Sequence, residues 1–171
     1  MKISFNKKLA STQSVTLAEG RHAGVIVQIA NLGVQPGYDT TKVPAATVGV
    51  VIQLTGGVQI AKMMRISDSP LSALFAFLDA ALPDPDAYDG DDPLPLTLGR
   101  PVAIEVTMNG QYPKIATFHR PEAFELASTP VVSAAELLLL DDPELTGEAG
   151  KALFLKLHRD IRSWLSKRIR G

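Results

Sequence analysis

Five stretches of this chain alternate apolar and polar side chains, and one stretch at helical spacing divides them three from two. A period of two puts successive side chains on opposite faces of a strand, so each stretch has one face to bury and needs neighbours to bury it against. The first runs from His22 to Leu32, with Ala23, Val25, Val27 and Ile29 on one face, and closes at Gly33. Proline and glycine mark 34–44 as a loop, after which Ala46, Val48, Val50, Ile52 and Leu54 share a face. Thr55-Gly56-Gly57 is turn punctuation, because glycine reaches the positive φ of tight hairpins, and Val58 to Ile66 alternates again.

The period then changes. Ser69-Pro70 offers an N-cap and a first-turn proline, and Leu71, Leu74, Phe75, Leu78 and Leu82 recur at helical spacing up to Pro83. Residues 83–95 form an acidic, proline-rich connector without periodicity. Val102, Ile104, Val106 and Met108 then share a face, Asn109-Gly110 signals a two-residue hairpin, and Gln111 to His119 is the return strand. Three strands, a helix and two strands is the order of the OB-fold, whose helix stands between the third and fourth strands. A small SH3-like barrel or an open meander offers similar strands, but a helix at that position is less expected of them. The sequence therefore predicts a β-dominated α+β chain. A five-stranded OB-type barrel domain covers 1–122, with the connector 83–95 inside it, and a helical C-terminal extension covers 123–171.

Within that extension Ser133-Ala-Ala-Glu136 has the form of a capping box ahead of Leu137 to Leu140. A final helix is expected from about Glu148 to Gly150 onward. It would place Leu153, Leu157, Ile161, Trp164 and Leu165 on one face, with Lys156, Arg159, Arg162, Lys167 and Arg170 around the rest. Such a basic amphipathic helix suits a membrane surface or nucleic acid. Its apolar stripe equally suits packing against the barrel or a second subunit, and packing, without a membrane, is the expectation.

Composition narrows the classes. With 46% hydrophobic and 20% charged residues in 171, the chain can fill a core. It lacks an uninterrupted apolar run long enough to span a membrane, and Met1 to Leu9 lead into no signal-like apolar region, so a cytoplasmic protein is expected. The absence of cysteine removes disulfides, thiolate zinc sites and a cysteine nucleophile. The net charge of -1 hides a segregation of charge. Seven basic residues face three acidic ones across 21–78 and 100–120, whereas 79–92 is purely acidic. From Glu122 to Glu148 there are seven acidic residues and no Lys or Arg, and Lys151 to Arg170 has seven basic residues against Asp160 alone. Blocks of this kind belong to separate interaction surfaces.

Catalytic chemistry finds little to work with. His22, His119 and His158 fall in three separate elements, and no ligand pair at metal spacing occurs. Asp84, Asp86, Asp89, Asp91 and Asp92 lack the spaced ligands and terminal Glu of a calcium loop. No phosphate loop, nucleophile elbow or dinucleotide fingerprint is present. Neither an enzyme, a metal site nor a cofactor is expected. Binding a single strand demands less: positive potential along the phosphates and a few flat side chains for stacking. Lys62 and Arg65 on the third strand, Lys114, His119 and Arg120 on and after the fifth, Tyr112 beside the last hairpin, and Tyr38 with Lys42 in the first loop meet that need. OB-folds bind oligomers across strands two and three between these two loops. Each residue alone equally fits a solvated face or a half-buried anchor; together they favour a ligand face.

Short pieces of the chain resemble a family of phage-encoded single-stranded DNA-binding proteins. These are Glu19-Gly20-Arg21-His22-Ala23, the stretch Lys62 to Ser67 with the helix Leu71 to Leu82 behind it, and Leu98-Gly99-Arg100-Pro101-Val102 leading into Tyr112-Pro113-Lys114-Ile115. The resemblance covers roughly 17–122. It implies an OB-fold, DNA binding without catalysis, self-association, and a replication or recombination protein as partner in the host cytoplasm. The ending Lys167-Arg168-Ile169-Arg170-Gly171 departs from the acidic tip of many such proteins. A phage assembly or protein-interaction module built on a small barrel is the alternative.

Overall fold

The structure is a computed structural model and describes residues 17–35, 45–67, 69–82, 84, 92–140, 148, 152 and 155–170. Its centre is one long strand, β1 (Gly20–Gln35). The N-terminal part of β1 pairs with β4 (Pro101–Asn109) from Gly20 to Val25, and the rest pairs with β2 (Ala45–Leu54) from Gly24 to Gln35. At Gly24, where β1 carries both neighbours, an added Cβ would lie 2.6 Å from the Gln53 carbonyl and 2.7 Å from Ile52 Cγ2. Only glycine allows strands to approach that closely.

The sheet is six-stranded, with the path β3 (Gln59–Arg65), β2, β1, β4, β5 (Tyr112–His119), antiparallel at each step of that path. Antiparallel steps make its two end strands, β3 and β5, run in the same direction. They approach each other closely enough for the Lys62 ammonium to donate to the Ile115 carbonyl at 2.8 Å. Helix α1 (Ala73–Ala81) follows β3 and packs on β5.

The interior layer gathers Ile26, Ile29, Val50, Ile52, Ile104 and Ile115, closed from below by Leu74 and Phe77 of α1. The Phe77 and Phe118 rings meet edge to face with centroids 5.0 Å apart, the arrangement their quadrupoles favour. Two local expectations are corrected here. A register shift between Ile26 and Gln28 breaks the two-residue period, so Val25 and Val27 face outward while Ile29 joins Ile26 inside. The helix is capped by Ser72, whose Oγ accepts from the Phe75 N–H at 3.1 Å, rather than by Ser69. Starting there turns Leu74 and Phe77 into the core and leaves Leu71 94% exposed.

The chain after Pro121 is helical in part, and it adds a strand that the sequence did not announce. It runs through α2 (Ala123–Ser128), a single 3-10 turn at Ala134–Glu136, strand β6 (Leu138–Leu140) and α3 (Arg159–Arg170). The Glu136 carboxylate accepts from the Ser133 N–H at 3.3 Å, as the capping motif anticipates, but the element beyond it is a strand. The reason is an open edge: β4 leaves β1 at Val25, and Leu138 to Leu140 pair in parallel with Gln28 to Ala30. Backbone groups left without a ladder there find partners, and Leu140 is buried. Helical residues appear from 148, as expected, at 148, 152 and 155–156, but a break at 157–158 sets α3 apart from them.

This tail covers the outer face of β1 and β2. Val25, Val27, Ala30, Leu32 and Val51 form a second buried cluster with Leu140, Leu157 and Ile161, while Ala61, Met63 and Trp164 pack at its margin. The sheet is thus buried on both sides there, and its central strands read as near-continuous apolar runs for that reason. Among the described residues no helix is long and apolar enough to cross a membrane.

Candidate nucleic-acid interface

Alternation along β3 decides where its cations go. Ile60 and Met64 are buried inside, so Lys62 shares their side of the strand, whereas Ala61 and Met63 face the outer cluster with Arg65 in the same phase. The Lys62 stem runs to the seam between β3 and β5 and its head is tied to Ile115. Burial first, and then the charge of Lys114, lower the Lys62 pKa from its ordinary value. Lys114 is exposed on β5 beside that seam, opposite Thr107 of β4. Two ammonium groups held near each other favour an anion between them, since its charge relieves their repulsion.

Tyr112 opens β5 and is 68% exposed, two residues from Lys114, as a stacking platform requires. The described geometry therefore brings together Lys62, Lys114 and Tyr112. Arg65 is exposed at the end of β3, toward the end of the seam where β5 finishes. His119 and Arg120 lie at that end of β5, and Arg120 is engaged elsewhere: its guanidinium donates to the Asp79 carbonyl (2.8 Å) and carboxylate (3.1 Å), tying α1 to the sheet. Half of the Arg120 side chain stays exposed, so a phosphate could still reach it. Tyr38 and Lys42 lie outside the described residues. So do most of the connector aspartates; Asp92 accepts from the Leu94 N–H at 3.1 Å and starts the 3-10 turn Leu94–Thr97. Among the described residues no group of three or more His, Asp or Glu stands where it could hold a metal ion.

Of the helix stripe, Leu157 and Ile161 are buried and Trp164 is partly buried against the sheet's outer face, while Leu153 and the Leu165 side chain lie outside the described residues. Three contacts that shape this surface escape sequence reasoning. The Gln28 amide donates to the Lys156 carbonyl (3.0 Å) and accepts from the His158 N–H (2.9 Å), so β1 holds the turn ahead of α3. His158 in turn accepts the Asp160 N–H on Nδ1 at 3.2 Å and caps the helix. Arg21 grips Glu125 with two nitrogens at 2.8 to 3.1 Å, fixing α2 against β1. The one sequence signal was Gln28, a polar residue that interrupts the apolar phase of its run at the bulge. Arg21 and Glu125 are 104 residues apart, and nothing local joins them.

The sequence matches no family model, and no curated protein matches it.

Proposed function

We propose that this chain is a non-catalytic, phage-type single-stranded DNA-binding protein, built on an OB-type barrel and acting in replication or recombination in the cytoplasm of a host. The observation that carries the reading is the strand path. A long first strand shared by β2 and β4, a helix inserted between β3 and β4, and end strands β3 and β5 drawn together at Lys62 and Ile115 support an OB-type reading of the sheet. Folds of this kind bind oligonucleotides without catalysis. The seam supplies what such binding needs: Lys62 and Lys114 for phosphate, with exposed Tyr112 beside them for a base. Self-association and a replication or recombination partner belong to the same proposal.

A fluorescence-anisotropy titration with labelled oligo-dT and with a duplex of matching length tests it. Salt-sensitive binding to the strand, weak or absent on the duplex, supports the proposal; no binding to either overturns it. One observation favours the second reading, a protein-interaction module. Phe124, Leu126 and Val131 are 73%, 49% and 99% exposed beside a groove of about 310 Å³ lined by Val25, Pro101, Leu126 and Leu137. Exposed apolar side chains in one region mark protein contacts more readily than nucleic-acid contacts.

A further inference from the structure

We propose that single-stranded DNA crosses the outward face of the β4–β5 hairpin toward the seam with β3, and not the face of β2 and β3, with the hydroxyls of Thr107 and Thr117 as contacts beside Tyr112 and Lys114. The inference rests on the single-strand reading above and gives the path of the nucleic acid.

OB-type barrels take oligomers across strands two and three. Here the outer side of those strands is occupied by the chain's own tail. Val27 and Val51 are 1% and 0% exposed in a cluster with Leu157 and Ile161, and Ala61 and Met63 of β3 pack at its margin with Trp164. A Cβ on Gly49 would stand 3.0 Å from Ile161 Cδ1, so the tail lies directly on β2. Moving it aside would bare apolar side chains, which cannot hold a phosphate backbone.

The β4–β5 face differs in chemistry. Val106 and Ile115 face each other inside, and a bulge between Glu105 and Val106 keeps the two strands in phase on either side of that pair. The outward pairs are therefore Glu105 with Thr117, Thr107 with Lys114, and Asn109 with Tyr112. Asn109, Tyr112 and Lys114 are exposed, and Thr107 and Thr117 are partly so. Neither β3 nor β5 contains Asp or Glu, so Lys62 and Lys114 meet no acid on their own strands. Glu105 stands opposite Arg21 in the β1–β4 ladder, whose charge offsets its own.

Thr107 adds an independent observation. Its Oγ1 is buried and has no hydrogen-bond partner among the described residues. A buried hydroxyl left unpaired is costly, and an acceptor oxygen arriving beside Lys114 would satisfy it. Cations, free hydroxyls and one exposed ring suit an unpaired strand, whose bases can stack, better than a duplex, whose base faces are hidden.

Trp164 is the chain's one tryptophan and marks the covered face, so optical reporters can be placed on both sides of the sheet. Oligo-dT is titrated into wild type, followed by Trp164 emission, and into Y112W/W164F, followed by emission from the hairpin. Labelled oligo-dT anisotropy across a salt series compares wild type with T107V/T117V, and thermal melting confirms each fold. The expected result is quenching in Y112W/W164F, unchanged Trp164 emission, and affinity lower by about tenfold in T107V/T117V. The slope of log affinity against log salt should stay at the wild-type value, because no charge is lost. Quenching of Trp164 with a silent Y112W/W164F, or unchanged affinity in a folded T107V/T117V, overturns the path and leaves the single-strand reading standing. Wild type that binds no oligo-dT removes both.

Discussion

Gln28 and His158, 130 residues apart, are joined through the Gln28 carboxamide, which accepts from the His158 N–H at 2.9 Å while donating to the Lys156 carbonyl. One side chain at the bulge of β1 therefore ties down the turn that leads into the C-terminal helix. Replacing it with leucine leaves one backbone donor and one acceptor without their partner. Each net hydrogen bond is worth about 0.5 to 1.5 kcal/mol, so Q28L should cost about 1 to 3 kcal/mol in urea unfolding. Amide exchange within 158–164 should accelerate beyond what that global loss explains. Unchanged exchange there would mean that packing alone seats the helix.

His158 makes the same region sensitive to acid. Burial, reinforced by Arg159 and Arg162 and opposed by Asp160, lowers the imidazole pKa from 6.5, and Nδ1 can cap α3 only when unprotonated. The unfolded chain takes up its proton near pH 6.5 whereas the folded chain resists, so stability is level above that pH and falls as pH drops below it. A urea midpoint series from pH 7.5 to 5 should show this decline in wild type and lose most of it in H158Q. An equal decline in both assigns the effect to other groups.

The Arg21–Glu125 pair acts lower on the pH scale. The Arg21 hydrogen bond is the chief reason that the Glu125 carboxyl lies below its ordinary 4.5, so its stabilisation is present above that pH and lost as pH falls through the folded value. Glu125 is 5% exposed while about a third of the Arg21 side chain meets solvent, which keeps the pair nearer a rim contact than a buried one. E125Q should cost about 1 to 3 kcal/mol at pH 7 by thermal or urea unfolding, and less at pH 3.5. A cost independent of pH would show that shape, not charge, holds α2.

Packing between Gly49 and Ile161 gives a coupled prediction. I161A should cost about 2 to 5 kcal/mol because it empties a fully buried site, and G49A should cost up to about 3 kcal/mol because its Cβ enters that site. Combined, the two should cost less than their separate losses together, since the new methyl occupies vacated space. Strict additivity in urea unfolding would contradict the seating of α3 on β2.

Much of this fold was legible as periodicity. The inward residues of β2 and β4, such as Val48, Ile52, Val102 and Ile104, follow the two-residue alternation, as does the hairpin at Asn109-Gly110. What escaped depended on long-range contacts. Leu138 to Leu140 carry no local mark separating strand from helix, and the open edge of β1 decides between them. The bulge at Gln28 moves Ile29 to the other face, which a strict alternation misses. In the candidate site, residue types alone named Lys62, Lys114 and Tyr112. They could not say that Arg120 is tied to Asp79, nor that the expected ligand face carries the chain's own helix.

Amide exchange of the whole protein, with and without saturating oligo-dT, tests the central claim most directly because it reports binding and its location together. The account predicts protection at 112–116 of β5, with 123–132 unchanged. Exchange unaltered everywhere, or protection confined to the exposed apolar region around Phe124, Leu126 and Val131, would contradict it.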